Sequence, residues 1–324
     1  MKKNDITPQE GVFLALILAM LALAMILVLF LPQAKGVSPP KDKPLGLSED
    51  PSPAPSGAQD GSDWAYTFLE LGSEDLAQGS LVLVNALHPY DDAAARVVSV
   101  YDYKTAGYFV KDRLVCVCEL AMFPLNDFLG DFARQTGRED LNVVAGHRSF
   151  DDQQAIYDSA VAEKGQDHAD AYIALPGYSE HHTGLAVDLD TYDPGTGLSY
   201  GFTGEGPYRW LSEHAGEYGF VLRYPADKQD VTGIAYEAWH FRYVGVPHAA
   251  CMAEQNLCLE EYLDFLRAFP FEGEHLLLNF QGQRYEIYFC QGLRAAVPTE
   301  LPYTLSGNNE DGFIVTVELG QAPR

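Results

Sequence analysis

From Gly11 to Leu31 the chain reads GVFLALILAMLALAMILVLFL, an unbroken apolar run without one charged or polar side chain. At 1.5 Å of rise per residue a helix of this length just crosses about 30 Å of hydrocarbon, so residues 11–31 are expected to form a transmembrane helix. The run exceeds the apolar stretch of a secretory signal, and no A-x-A-like cleavage site follows it, which favours an uncleaved anchor. Lys2 and Lys3 precede it and Lys35, Lys41 and Lys43 follow it, so charge asymmetry only weakly sets its orientation. Residues 32–61 then turn to Pro, Gly, Ser and Ala, with prolines at 32, 39, 40, 44, 51, 53 and 55. Such a segment is a semi-extended tether, able to hold a domain tens of ångströms from the bilayer.

The organisation expected is therefore a short cytoplasmic tail (1–10), a span (11–31), a linker (32–61) and folded material beyond. Hydrophobic residues make up 47% of the chain, enough to build a core. The 46 acidic residues outnumber 21 basic ones, for a net charge of −25, and the acidic excess lies on the membrane-distal side. The longest basic run is Lys2-Lys3, so no nucleic-acid partner is expected.

Past the linker, strands and helices interleave irregularly, which predicts an α+β fold, a small antiparallel sheet with flanking helices, rather than a doubly wound sheet. Strands are expected at 80–85, 114–118, 186–190 and 240–244, and helices at 120–135 and 207–218. Another helix starts after Ser149, which would cap it, with Asp151 and Asp152 in the first turn and Ala155, Ile156 and Ala160 on the buried face. Leu259, Tyr262, Leu263 and Leu266 form a last helical stripe. Strands at 276–280, 285–290 and 313–319 then suggest a small β appendage over 268–324, leaving 62–267 as the main domain.

Chemistry concentrates in three stretches: Ala145-Gly146-His147-Arg148-Ser149 with Gln153, Ser179-Glu180-His181 through Asp188, and Tyr236-Glu237-Ala238-Trp239-His240. They supply two imidazoles, a carboxylate and a spare Glu237 beside His240. A catalytic zinc site needs three protein ligands, an open position and a base that is not a ligand. Any one of these histidines alone is more often a hydrogen-bonded structural residue. The set is what points to metal. His182 would point away from the ligand beside it along extended backbone. Asp190 is either an outer partner of Asp188 or a solvated carboxylate, and Trp239 is read as packing. Five cysteines without a C-x-x-C pair argue against a cysteine zinc site or a disulfide framework.

The pattern S-x-H-x-x-G-x-A-x-D at Ser179, His181, Gly184, Ala186 and Asp188, followed by E-x-W-H at Glu237, Trp239 and His240, resembles the zinc D-alanyl-D-alanine carboxypeptidases (peptidase M15B). That family includes the vancomycin-resistance carboxypeptidases and shares its core with the D-Ala-D-Ala dipeptidases and the hedgehog domain. Gly146, Arg148, Ser149 and Gln153 fit its G-x-R-S-x-x-x-Q stretch, and the likeness covers roughly residues 80–267. Departures are His147, His182 and Ala238, where Tyr, Gln and Pro are common. The resemblance implies His181, Asp188 and His240 as ligands of Zn2+, Glu237 as general base, and Arg148, Ser179 and Gln153 as substrate-binding residues. It further implies a peptidoglycan stem peptide as substrate, trimmed of its terminal D-alanine outside the cell membrane by a single-pass, extracytoplasmic, monomeric enzyme. Two alternatives remain at this level: an L,D-carboxypeptidase acting on tetrapeptide stems, and a zinc-containing binding module that cuts nothing.

Overall fold

A computed structural model describes residues 65–90 and 96–321. The expected anchor at 11–31 and linker at 32–61 lie outside the described residues. Within them no helix is long and apolar enough to cross a membrane.

The fold is mixed α+β. Strands β1 (Tyr66–Glu70), β2 (Val97–Ser99), β3 (Phe109–Val110) and β4 (Cys116–Cys118) lead into helix α1 (Glu119–Thr136). There follow β5 (Leu141–Ala145), α2 (Phe150–Lys164), α3 (Gln166–Tyr172), β6 (Ala186–Asp193), β7 (Leu198–Gly201) and α4 (Arg209–His214). Strands β8 (Phe220–Leu222) and β9 (His240–Tyr243) precede α5 (His248–Gln255) and α6 (Leu259–Leu266). Five strands close the chain: β10 (Leu276–Phe280), β11 (Gln283–Gln291), β12 (Arg294–Pro298), β13 (Tyr303–Gly307) and β14 (Gly312–Gln321).

The central sheet runs β3-β5-β6-β9-β8, with β7 added on β6. Its pairings are antiparallel except β3 with β5, which is parallel. Helix α1 covers it because Met122, Leu125, Phe128, Leu129 and Phe132 recur at helical spacing and are all fully buried. Phe128 stacks on Phe220 at 5.4 Å and meets Phe241 edge-on at 5.6 Å, which pins the helix over β8 and β9. Helices α5 and α6 join this layer to the C-terminal strands: Leu259, Tyr262, Leu263 and Leu266 share a core with Val221 and Val244 on one side and Ile287, Phe289 and Ile314 on the other. The C-terminal sheet runs β10-β11-β14-β13, and β12 pairs instead with β1.

Three local expectations are corrected. Residues 80–85 form no strand, although Leu81, Val82, Leu83 and Val84 are all buried. Their backbone is satisfied from several directions instead: Arg242 donates to the carbonyls of Ser80 and Val82, Ser306 Oγ accepts from Leu81, and Asn308 O accepts from Leu83. Ser149 does cap α2, accepting from Asp152 N at 3.1 Å, but Ala155 and Ile156 are exposed and Gln153 is the buried residue of that helix. The helix borders a groove rather than the core, and Ile156 lines that groove. The helix expected at 207–218 is broken into 3-10 turns at Gly206–Tyr208 and Ala215–Tyr218 around the short α4. The five cysteines are all free.

Candidate active site

Strands β6 and β9 pair so that Asp188 stands opposite His240, which places a carboxylate and an imidazole side by side. His181 reaches them from the 3-10 turn Glu180–Thr183, just before β6. Ser179 caps that turn, its Oγ 3.4 Å from His181 N. Gly184 ends the turn in the left-handed region at φ 69°, and its carbonyl accepts from Cys118 N at 2.7 Å. A Cβ there would lie 2.8 Å from that same nitrogen, so glycine is required on both counts.

The ligand atoms are set by what the other atoms do. His181 Nδ1 donates to Gly146 O at 2.6 Å, since a carbonyl can only accept, which leaves the Nε2 lone pair 3.2 Å from Asp188 Oδ2. His240 presents its other nitrogen: Nδ1 lies 3.1 Å from Asp188 Oδ1 and 3.7 Å from Glu237 Oε2. Asp188 Oδ1 is buried and makes no hydrogen bond. One atom each of His181, Asp188 and His240 thus falls within 4.8 Å of the others. Two neutral imidazoles and a carboxylate converging beside an open cavity are the donor set of a catalytic zinc centre, and these residues fit Zn2+.

The electrostatics agree. Burial opposes ionisation of Asp188, yet the imidazoles of His181 and His240 outweigh it and hold the carboxyl well below its usual range. Burial likewise works against charge on His240, but Asp188 and Glu180 raise it to about 9. For His181, burial and the Arg148 charge lower the pKa. The cluster therefore favours a cation among its donors. Glu237 is not drawn into an ion pair at full contact. Burial pushes its carboxyl up to about 7, aided by the charges of Asp188 and Glu180 and opposed by His240 and Arg148. A carboxylate near neutrality is suited to take and return a proton.

Arg148 borders the same cavity. Its Nη1 donates to Gln153 Oε1 at 2.8 Å, and its Nη2 lies 3.5 Å from Asp188 Oδ2. Gln153 is itself held, donating to Ala174 O at 2.6 Å. The cavity holds about 320 Å3 and is lined by all seven residues singled out from the sequence, with Ile156, Tyr172, Tyr224 and Trp239 among its other walls. Ser179 and Gln153 line it while engaged in capping the turn and bracing Arg148.

Two contributors lie outside the predicted set, and His182, expected to point away along extended backbone, sits instead in the 3-10 turn Glu180–Thr183. His182 is fully buried and acts as a strut: Gly177 N donates to its Nε2 at 3.0 Å, so Nδ1 carries the proton and donates to Arg148 O at 2.7 Å. Glu180 is buried behind His240. Only an account of which backbone carbonyls and cations surround them exposes either role. Asp190, by contrast, accepts from Asn142 at 2.9 Å on the neighbouring strand and is no part of the centre. Trp239 packs against the main core and also walls the cavity.

A His-Asp-His donor set, a buried carboxylate beside it and a fixed guanidinium in one cavity define a zinc metallopeptidase that acts at a chain end. The family model described as VanY, D-alanyl-D-alanine carboxypeptidase, matches residues 126–246. A D-alanyl-D-alanine carboxypeptidase of Enterococcus faecium is 37% identical over 253 residues, 75% of this chain and 77% of the relative. One from Enterococcus faecalis is 36% identical over 207 residues, 61% of this chain and 70% of the relative. Among solved structures, the vancomycin-resistance D,D-dipeptidase VanXYg, in complex with a D-Ala-D-Ala phosphinate analogue, superposes with a TM-score of 0.70 at 31% identity, covering 78% of this chain and 99% of that one. The chain belongs to the VanY D-alanyl-D-alanine carboxypeptidase family.

Proposed function

We propose that this enzyme removes the C-terminal D-alanine from peptidoglycan stem peptides, held at the outer face of the cell membrane by residues 11–31 and the 32–61 tether. The observation that carries the reading is the position of Arg148. Its guanidinium is fixed by Gln153 on the edge of the donor cluster, in the cavity that Glu237 also borders. An arginine cannot be neutralised at working pH and presents a planar fork to a carboxylate. It would anchor the terminal carboxylate so that the preceding peptide bond lies over the donor cluster.

His181, Asp188 and His240 would hold the zinc, which when bound would supply Lewis acidity toward the scissile carbonyl and water. The rest falls to the chain's own residues. Glu237 accepts the proton of the attacking water, and the same carboxyl returns it to the departing amine of D-alanine. Gln153 and His182 keep Arg148 in place from its side chain and its backbone respectively.

The test is incubation of the chain from residue 62 onward with a stem pentapeptide, with and without chelator, assaying released D-alanine. Release that stops with chelator and returns with zinc supports the reading. Release only from tetrapeptides would make it an L,D-enzyme, and zinc binding without any release would make it a binding module.

A further inference from the structure

We propose that Glu180 is the positioning carboxylate of the metal centre: its Oε2 accepts the Nε2–H of the ligand His240, and Arg223 and Arg242 exist to hold it there. The proposal rests on His181, Asp188 and His240 being metal ligands.

Glu180, Arg223 and Arg242 have side chains with no exposure at all. Both arginines converge on one oxygen, Oε1, through Arg223 Nε at 2.7 Å and Arg242 Nη1 at 2.8 Å. Their remaining donors are occupied elsewhere. Arg223 forks onto Glu260 at 2.8 and 2.7 Å, and Arg242 donates to the carbonyls of Ser80, Val82 and Tyr243. The second oxygen of Glu180 is thereby left over. It is buried with no hydrogen-bond partner, and so is His240 Nε2, which stands 3.5 Å from it.

Two buried orphan atoms facing one another have a common explanation in chemistry. His240 turns Nδ1 toward Asp188, so a ligand bond made by Nδ1 requires the imidazole proton to sit on Nε2. That nitrogen stands 3.5 Å from Glu180 Oε2. A small closure of the 3.5 Å gap gives a carboxylate–histidine pair, which fixes the ring, selects the tautomer and makes Nδ1 a stronger donor. Neutralising two arginines does not need this arrangement, since Glu260 shows that a carboxylate can satisfy Arg223 without approaching the ligand. A buried ion cluster is also a costly way to fill space compared with apolar side chains. Its retention here is explained if the charge serves His240.

The experiment compares zinc affinity, by chelator competition, in the wild type, Glu180→Gln and Glu260→Gln, with folding followed by circular dichroism. Glu260→Gln disturbs the same arginine but not His240. Glu180→Gln should bind zinc about 10–100-fold more weakly and shift the visible spectrum of the cobalt-substituted protein, whereas Glu260→Gln should lower only the melting temperature. Equal zinc affinity in folded Glu180→Gln, or an equal loss in both variants, overturns the proposal. Should Glu180→Gln fail to fold, the zinc-loaded wild type decides by NMR: a downfield, slowly exchanging His240 Nε2 proton supports it, and metal on Nε2 overturns it. A His181→Ala variant that binds zinc as tightly as the wild type would instead sink the ligand assignment itself.

Discussion

Glu237 sits close enough to His240 to feel the metal site and far enough, at 3.7 Å, not to be consumed by it. Replacing it with glutamine keeps its size and removes its proton affinity. Glu237→Gln should therefore bind zinc as the wild type does while turnover falls by about 10²–10⁴-fold, the usual range for a lost acid–base group. Zinc analysis alongside the rate checks this, because loss of metal would reassign Glu237 as a ligand. Gln153 predicts a different signature. It touches Arg148 and Ala174, so Gln153→Ala should loosen the guanidinium and raise KM for a carboxylate-ended peptide, leaving zinc content unchanged. A fall in kcat alone, with KM intact, would detach Arg148 from substrate binding.

At the scale of elements, the site depends on one tight reversal. The 3-10 turn must deliver His181 and then release the chain into β6 within a few residues, and Gly184 makes the reversal at φ 69°. Gly184→Ala forces a Cβ against backbone at 2.8 Å, an atom that cannot swing aside. It should cost about 1–3 kcal/mol and weaken zinc binding together, measurable by urea unfolding and chelator competition. Stability lost without any change in zinc affinity would mean that the turn does not set His181. This geometry is also why the His181–Asp188 half of the centre stands out in the sequence. The motif compresses a cap, a turn, a glycine and an alternating strand into ten residues, whereas His240 and Glu237 come from a distant stretch and their roles were implied by the family resemblance. Glu180 and His182 lie inside the same motif and were passed over, because their roles depend on Arg223, Arg242 and Arg148, whose approach no local pattern records. The segment 80–85 failed for a related reason. Its apolar residues are buried as a strand's would be, but its hydrogen bonds go to Arg242, Ser306 and Asn308, which lie far off in the chain.

Across the whole molecule, the catalytic layer and the C-terminal sheet are joined through α5 and α6, and a buried histidine sits at that joint. His248 Nδ1 lies 2.8 Å from Tyr262 Oη on α6, and its Nε2 lies 2.9 Å from Thr316 Oγ1 on β14. Burial lowers its pKa to about 3, so it folds neutral, while the unfolded chain takes up a proton near the ordinary value of about 6.5. The unfolded state thus binds more protons throughout the window from about 6.5 down to 3, and stability must fall as pH falls through it. Between pH 7 and pH 5 this single group should remove about 2 kcal/mol. Replacing it by glutamine, which does not titrate, should lower stability at pH 7 but flatten the fall toward pH 5. Urea midpoints for the wild type and His248→Gln at both pH values measure the difference directly, and parallel pH slopes in the two proteins would place the acid sensitivity elsewhere. Because α5 and α6 share one core with Val221 on β8 of the site sheet and Ile314 in the C-terminal sheet, acid weakening at His248 should lower hydrogen-exchange protection in both sheets together over the same pH range.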